Sequence, residues 1–132
     1  LEDFPDRTFD KLRYGDTDRQ GHINNAVFAT LYETGRVGIL DAAGRGPDLS
    51  FVIARITIDY RAEMFWPGNV DIGTGIRSLG RSSVTMWQAL FQNGKCVSTA
   101  ESVVVQVDRA TRRGTALDEA TRARLQALII KG

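Results

Sequence analysis

The chain has 132 residues, of which 42% are hydrophobic and 25% charged, the composition of one globular domain expected to span 1–132. Seventeen Lys and Arg against sixteen Asp and Glu leave a net charge of +1, which gives no basic footprint for a nucleic-acid partner. A single cysteine, Cys96, excludes an internal disulfide, and a single histidine, His22, leaves too few imidazole and thiolate ligands for an ordinary zinc site.

Arg7 to Tyr14 reads as a short strand of mixed polarity, and the polar, Gly-punctuated stretch from Gly15 to Ile23 reads as a loop. Asn24 and Asn25 then open a helix over Ala26 to Asp41. Phe28, Leu31, Tyr32, Gly35 and Ile39 recur on one helical stripe, and Asn is a good N-cap. Gly35 and Gly38 each cost a helix interior about 1 kcal/mol against Ala, so both are expected where the backbone presses on a sheet. Two glycines and a proline between Ala42 and Leu49 mark the stop.

Strands follow. Phe51 and Ile53 lie on the opposite parity to Ile56, Ile58 and Tyr60, which predicts a bulge, or burial on both sides, near Ala54–Arg55. Trp66 to Asn69 reads as a turn, and Val70, Ile72 and Ile76 continue with period two. Leu79 to Arg81 breaks that strand and Ser83 to Phe91 begins another. Asn93-Gly94 is a strong hairpin signal leading into a long strand, Cys96 to Val107, with Val97, Val103, Val105 and Val107 expected on one face. Asp118 is placed to cap a last helix, Glu119 to Ile130. Helices and strands are segregated and hairpin-length turns join the strands, so the class is α+β with an antiparallel sheet.

Chemistry concentrates between Arg13 and Asn25, which hold two carboxylates, the sole histidine and two asparagines at a helix start. Free first-turn N–H groups can stabilise a developing oxyanion, and a nearby Asp can act as general base or nucleophile. Taken alone, Asp and Asn before a helix also serve as plain caps and turn formers. No G-x-S-x-G elbow, phosphate-binding loop or dinucleotide fingerprint is present. No apolar run approaches the ~18 residues of a membrane span, and no secretory signal pattern opens the sequence. A cytoplasmic setting, with no membrane partner, is expected.

The stretch Arg13-Tyr14-Gly15-Asp16-Thr17-Asp18, followed by Gly21-His22-Ile23-Asn24-Asn25, resembles the hotdog-fold thioesterases, specifically the 4-hydroxybenzoyl-CoA thioesterase-like acyl-CoA thioesterases. Asp59-Tyr60, Leu79-Gly80-Arg81-Ser82-Ser83 and Val107-Asp108-Arg109 extend the resemblance in family order. The resemblance implies a long helix wrapped by a curved antiparallel sheet. It implies Asp18 as the catalytic carboxylate, Asp16 as a structural one, and the N–H near Asn25 as the group that polarises a thioester carbonyl. His22 and Asn24 would position carbonyl or water. Arg81, with Ser82 and Ser83, would hold the phosphates of coenzyme A, commonly from a neighbouring subunit of a homodimer or homotetramer. The implied substrate is an acyl-CoA, or an acyl carrier protein thioester, with no cofactor and no metal.

Two other functions compete: an enoyl-CoA hydratase-like hotdog enzyme using Asp18 and His22, and a non-catalytic acyl-CoA binding module. The Asn-Asn after His22 fits the thioesterase pattern better, and a binder has no need of a carboxylate beside a carbonyl. Phe51, Phe65 and Trp66 are candidates for an acyl pocket, with core packing the simpler role for each. Arg109, Arg112 and Arg113 read as a solvated basic face.

Overall fold

The computed structural model describes residues 2–42 and 49–130. Strand β1 (Asp6–Lys11) is followed by a 3-10 turn, Tyr14–Asp16, and helix α1 (Asn25–Ala42). Four strands follow, β2 (Leu49–Tyr60), β3 (Asn69–Leu79), β4 (Ser83–Gln92) and β5 (Lys95–Asp108), then helix α2 (Glu119–Gln126). The strands form one antiparallel sheet in the order β1-β3-β4-β5-β2. Helix α1 packs on one face of that sheet, the α+β arrangement that the resemblance implies.

Helix α1 buries the expected stripe. Phe28, Leu31, Tyr32 and Ile39 are all at most 4% exposed. Gly35 touches the sheet: a Cβ there would lie 2.5 Å from Thr74 Oγ1 and 2.7 Å from Gln88 Nε2. Gln88 Nε2 donates to the Tyr32 carbonyl (2.9 Å) and to Thr74 Oγ1 (3.0 Å), so the close approach is fixed by a buried polar contact. Gly38 does not share this role, because it is exposed with open space around it. The expected stop signals, Gly44, Gly46 and Pro47, lie outside the described residues.

The bulge in β2 falls where the parity switch places it. Ile53 pairs with Val104 and Arg55 with Val103, leaving Ala54 as the extra residue. Phe51 before the bulge and Ile58 after it therefore both reach the helix side of the sheet, each packing on a core cluster. Asn93 and Gly94 take positive φ (54° and 79°) and turn β4 into β5, the conformation a two-residue hairpin turn requires.

Three expectations are corrected. β1 ends at Lys11 rather than Tyr14, because Leu12 leaves the ladder to join the core and Asp16 winds the following turn onto Arg13. In β5 Val103, Val105 and Val107 share a face as expected, but Val103 and Val105 on it are only half-buried, whereas Ser98, Ala100, Ser102, Val104 and Gln106 on the other face are all buried. A register shift opposite Leu90–Phe91 is what brings Val97 into the core despite its odd number. The last helix ends at Gln126, four residues short of Ile130. Its tail continues in i→i−3 turns to Ile129, and Ile130 then donates to the Ile76 carbonyl (2.8 Å) beside β3.

Candidate active site

The loop before α1 is built around two aspartates with different surroundings. Asp16 is 7% exposed. Its Oδ2 accepts the Arg13 backbone N–H (2.9 Å), its Oδ1 meets Arg13 Nη2 (3.1 Å), and its carbonyl accepts the Asn24 N–H (2.8 Å). Asp16 therefore ties both ends of the loop together, the structural part that the resemblance implies. Asp18 is exposed. Its Oδ1 accepts the N–H groups of Gln20 (2.8 Å) and His22 (3.1 Å), and its own N–H donates to the His22 carbonyl (2.8 Å). Gly21 closes this turn at φ 81°, a left-handed conformation that favours glycine. The result is a carboxylate oriented through one oxygen, with no protein group on Oδ2 among the described residues.

The helix start supplies the complementary charge. Asn24 is the N-cap: its Oδ1 accepts the Ala26 N–H (3.0 Å) and its carbonyl accepts the Val27 N–H (2.9 Å). That leaves the Asn25 N–H as the first-turn donor with no protein acceptor among the described residues. It carries the partial positive charge of the helix N-terminus. On its other side Asn25 is held by Tyr60, whose hydroxyl donates to the Asn25 carbonyl (3.3 Å).

A second wall comes from the segment after β2. Ile23 donates to the Met64 carbonyl (2.8 Å), and His22 and Phe65 form an isolated antiparallel bridge. His22 Nε2 lies 3.2 Å from Glu63 Oε2, and the Phe65 ring meets the imidazole edge-on at 5.2 Å. Between the loop, the helix start and this segment lies an open cleft of about 450 Å³. Asp18, His22, Asn25, Phe28, Tyr60, Arg61 and Glu63 all line it. Phe28 and Tyr60 form its apolar side, their rings 5.0 Å apart.

The structure thus brings Asp18, His22 and Asn25 to one cleft. The Asn24 side chain is occupied with capping and is not part of the lining. Arg61 and Glu63 escaped the sequence reading, because they arrive through the β2–β5 register from some forty residues away and carry no motif of their own. Phe65 is half-exposed at the cleft's His22 side. Trp66 stacks edge-on with Tyr14 at 5.1 Å, and Phe51 packs on the far core cluster. Among the described residues, no three His, Cys, Asp or Glu side chains come together to hold a metal ion.

Arg81, Ser82 and Ser83 form the β3–β4 turn, at the other end of the sheet. Ser83 pairs with Val105, whereas Tyr60 at the cleft pairs with Ser98. Seven residues of strand separate the two places, about 23 Å at about 3.3 Å per residue. The turn's carbonyls are occupied: Arg122 Nη2 donates to that of Gly80 (2.8 Å), Leu117 to that of Arg81 and Gln106 to that of Ser82. The Arg81 side of the turn faces solvent. Arg109, Arg112 and Arg113 are exposed on the turn after β5.

Solved structures share this architecture along the whole chain. A thioesterase from Thermus thermophilus, solved with coenzyme A and zinc, is 31% identical, with 100% of this chain and 99% of that one covered and a TM-score of 0.88. A predicted thioesterase from Bacillus stearothermophilus is 30% identical over 96% and 97% of the two chains, with a TM-score of 0.87. A protein of Pseudomonas aeruginosa is 26% identical over 98% and 95%, with a TM-score of 0.91. No curated protein sequence matches the chain. The family model of the thioesterase-like superfamily matches residues 12–125, from the end of β1 through α2 and across every residue of the cleft, and the chain belongs to that superfamily.

Proposed function

We propose that the protein hydrolyses acyl-CoA thioesters to the free acid and coenzyme A. The observation that carries this reading is the placement of the Asp18 carboxylate and the unbonded Asn25 N–H on one cleft. Attack on a thioester carbonyl builds negative charge on oxygen, and a fixed N–H at a helix N-terminus stabilises that charge as it forms. Asp18 either takes the proton of an attacking water or attacks the carbonyl itself. In both cases water supplies the oxygen of the acid and the thiol leaves as free coenzyme A. His22 lies within the same turn, positioned to orient carbonyl or water.

The coenzyme A part of the reading rests on Arg81, Ser82 and Ser83 and on a second copy of the chain. Among the described residues β2 is an edge strand of twelve residues, with Ile53 and Tyr60 each 49% exposed. Such an edge is a template for strand pairing. Antiparallel pairing of β2 with the β2 of a second copy sets the ends of the two sheets side by side. The β3–β4 turn of one protomer then approaches the cleft end of the other, and the span that separates them within one chain is closed. Arg81 supplies the cation for phosphate and the serine hydroxyls supply donors. The assembly is a homodimer, or a homotetramer of two such pairs. Among the described residues no helix is long and apolar enough to cross a membrane.

Free-thiol release from a panel of acetyl-, medium-chain, long-chain and aromatic acyl-CoAs tests the reading. Turnover on at least one member is the expected result. Water addition to a crotonyl thioester without thiol release, or tight binding with no turnover, would overturn it. Release confined to acyl carrier protein thioesters would keep the chemistry and replace the carrier.

A further inference from the structure

Arg36 is buried on α1 without a partner. It is 7% exposed, its Nη1 is enclosed, and its guanidinium makes no hydrogen bond or ion pair among the described residues. Buried charges are ordinarily paired, because desolvation is costly until an opposite charge offsets it. Burial accordingly pulls the Arg36 pKa below the ordinary arginine value, and the charge that opposes this shift is that of Glu33, one turn earlier. Glu33 is exposed and forms no ion pair among the described residues. One side of the helix thus carries an enclosed cation and an open anion, neither of them matched within the chain.

That side faces the edge strand β2. Tyr32, four residues before Arg36 on the same stripe, reaches β5 through Ser98 (2.6 Å), whereas Val27, Thr30 and Leu31 look toward Asp10 and Lys11 of β1. With the sheet in the order β1-β3-β4-β5-β2, Arg36 lies on the β2 side. Helix and strand run antiparallel, with Phe28 against Tyr60 at one end and Ile39 clustered with Phe51 at the other. Arg36 is eleven residues from the helix start beside Tyr60, about 16 Å at ~1.5 Å per residue. The same length of strand is about five residues at ~3.3 Å each, which reaches the bulge at Ala54–Arg55 in the middle of β2.

Pairing of β2 with the β2 of a second copy puts the two-fold axis at the middle of the strand. The two α1 helices then lie side by side and antiparallel on one face of the joined sheet, each turning its Arg36 side to the other. Two guanidinium groups near one axis repel unless an acid comes between them. Helix α1 holds two acids, Glu33 and Asp41. Glu33 is on this side, and Asp41, five residues beyond Arg36, is about 140° away round the helix. We infer that Glu33 of each protomer pairs with Arg36 of the partner subunit, giving two symmetry-related ion pairs that close the seam between the α1 helices. The guanidinium charge is delocalised, so a carboxylate at its open edge neutralises the group while Nη1 stays enclosed. This inference rests on the β2 pairing of the proposed function and is independent of the reaction.

Two charge reversals test it by sedimentation of the full chain. Glu33→Arg leaves only cations at the seam and Arg36→Glu only anions. Each variant alone should dimerise at least about 100-fold more weakly than wild type, since like charges then face each other across the interface. An equimolar mixture of the two should recover dimers close to wild type in affinity, because both seam contacts then join opposite charges. Circular dichroism checks that each variant is folded, and the exposed Glu33 lets Glu33→Arg decide the matter alone if Arg36→Glu does not fold. A Glu33→Arg homodimer as tight as wild type, or a mixture of folded variants that stays monomeric, would overturn the inference and leave the β2 pairing standing. A monomeric wild type would overturn the pairing and the inference together. None of these readouts uses turnover, so a failure of acyl-CoA hydrolysis is seen separately.

Discussion

At the scale of single residues, two aspartates two positions apart take different work from their surroundings. Asp16 is buried against Arg13 and the Asn24 N–H, whereas Asp18 is exposed and bonded through one oxygen. Asp16→Asn should therefore lower stability by loosening the loop, since a buried bond to a charged group is worth about 1.5–3 kcal/mol, and thermal unfolding reads this directly. Asp18→Asn should leave the unfolding midpoint close to wild type. Gly35→Ala tests the packing of α1: the new methyl would meet Thr74, Gln88 and Ile72. Overpacking of this kind costs about 1–3 kcal/mol, so a midpoint equal to wild type would contradict the close approach. The sequence made the aspartates and Asn25 legible, because a loop feeding a helix start concentrates its chemistry over a dozen residues. Arg61 and Glu63 were not legible, because long-range pairing, of β2 with β5 and of His22 with Phe65, carries them to the loop.

At the scale of elements, local rules were strong wherever periodicity was interrupted by a specific residue. The parity switch between Ile53 and Ile56 located the β2 bulge, and Asn93-Gly94 located the β4–β5 turn. Asn24 and Asp118 cap the two helices as expected. In β5 only Val97 departs from the expected valine face, because the register shift opposite Leu90–Phe91 displaces it; the face itself is the less buried one, since both sides of the strand are at least half-buried. The buried side carries Ser98 and Gln106 as well as Val104. Ser98 accepts from the Tyr32 hydroxyl (2.6 Å) and donates to the Asp59 carbonyl (2.9 Å), a link from α1 through β5 to the strand end beside the cleft. The end of α2 was misread because Ala127 to Ile130 has helical composition but gains a sheet bond at Ile76 instead. Asp118 also sets a pH dependence on this element. The Thr121 N–H holds its carboxyl below the ordinary carboxylate range. Its contribution to stability is thus present above the unfolded-chain value and lost as pH falls through the lowered one. Asp118→Ala should remove that acid-side loss from a denaturation series, and an unchanged acid limb would contradict the cap.

At the scale of the whole molecule, under the proposed function the cleft at one end of the sheet acts with the Arg81 turn at the other only across two protomers. Lysines on an edge strand oppose pairing, so the double substitution Ile53→Lys/Thr57→Lys should give a folded monomer in sedimentation runs with little activity. An active monomer would contradict the assembly. Arg81→Ala should raise KM for acyl-CoA about tenfold, the loss of one bond to a charged phosphate, and leave hydrolysis of a truncated thioester without the nucleotide unchanged. The most direct measurement is thiol release from the best acyl-CoA by wild type and Asp18→Asn side by side. A fall of about 10²- to 10⁴-fold in turnover, the range of a general acid–base group, with folding unchanged, is the predicted result. Turnover that survives Asp18→Asn would contradict the account at its centre.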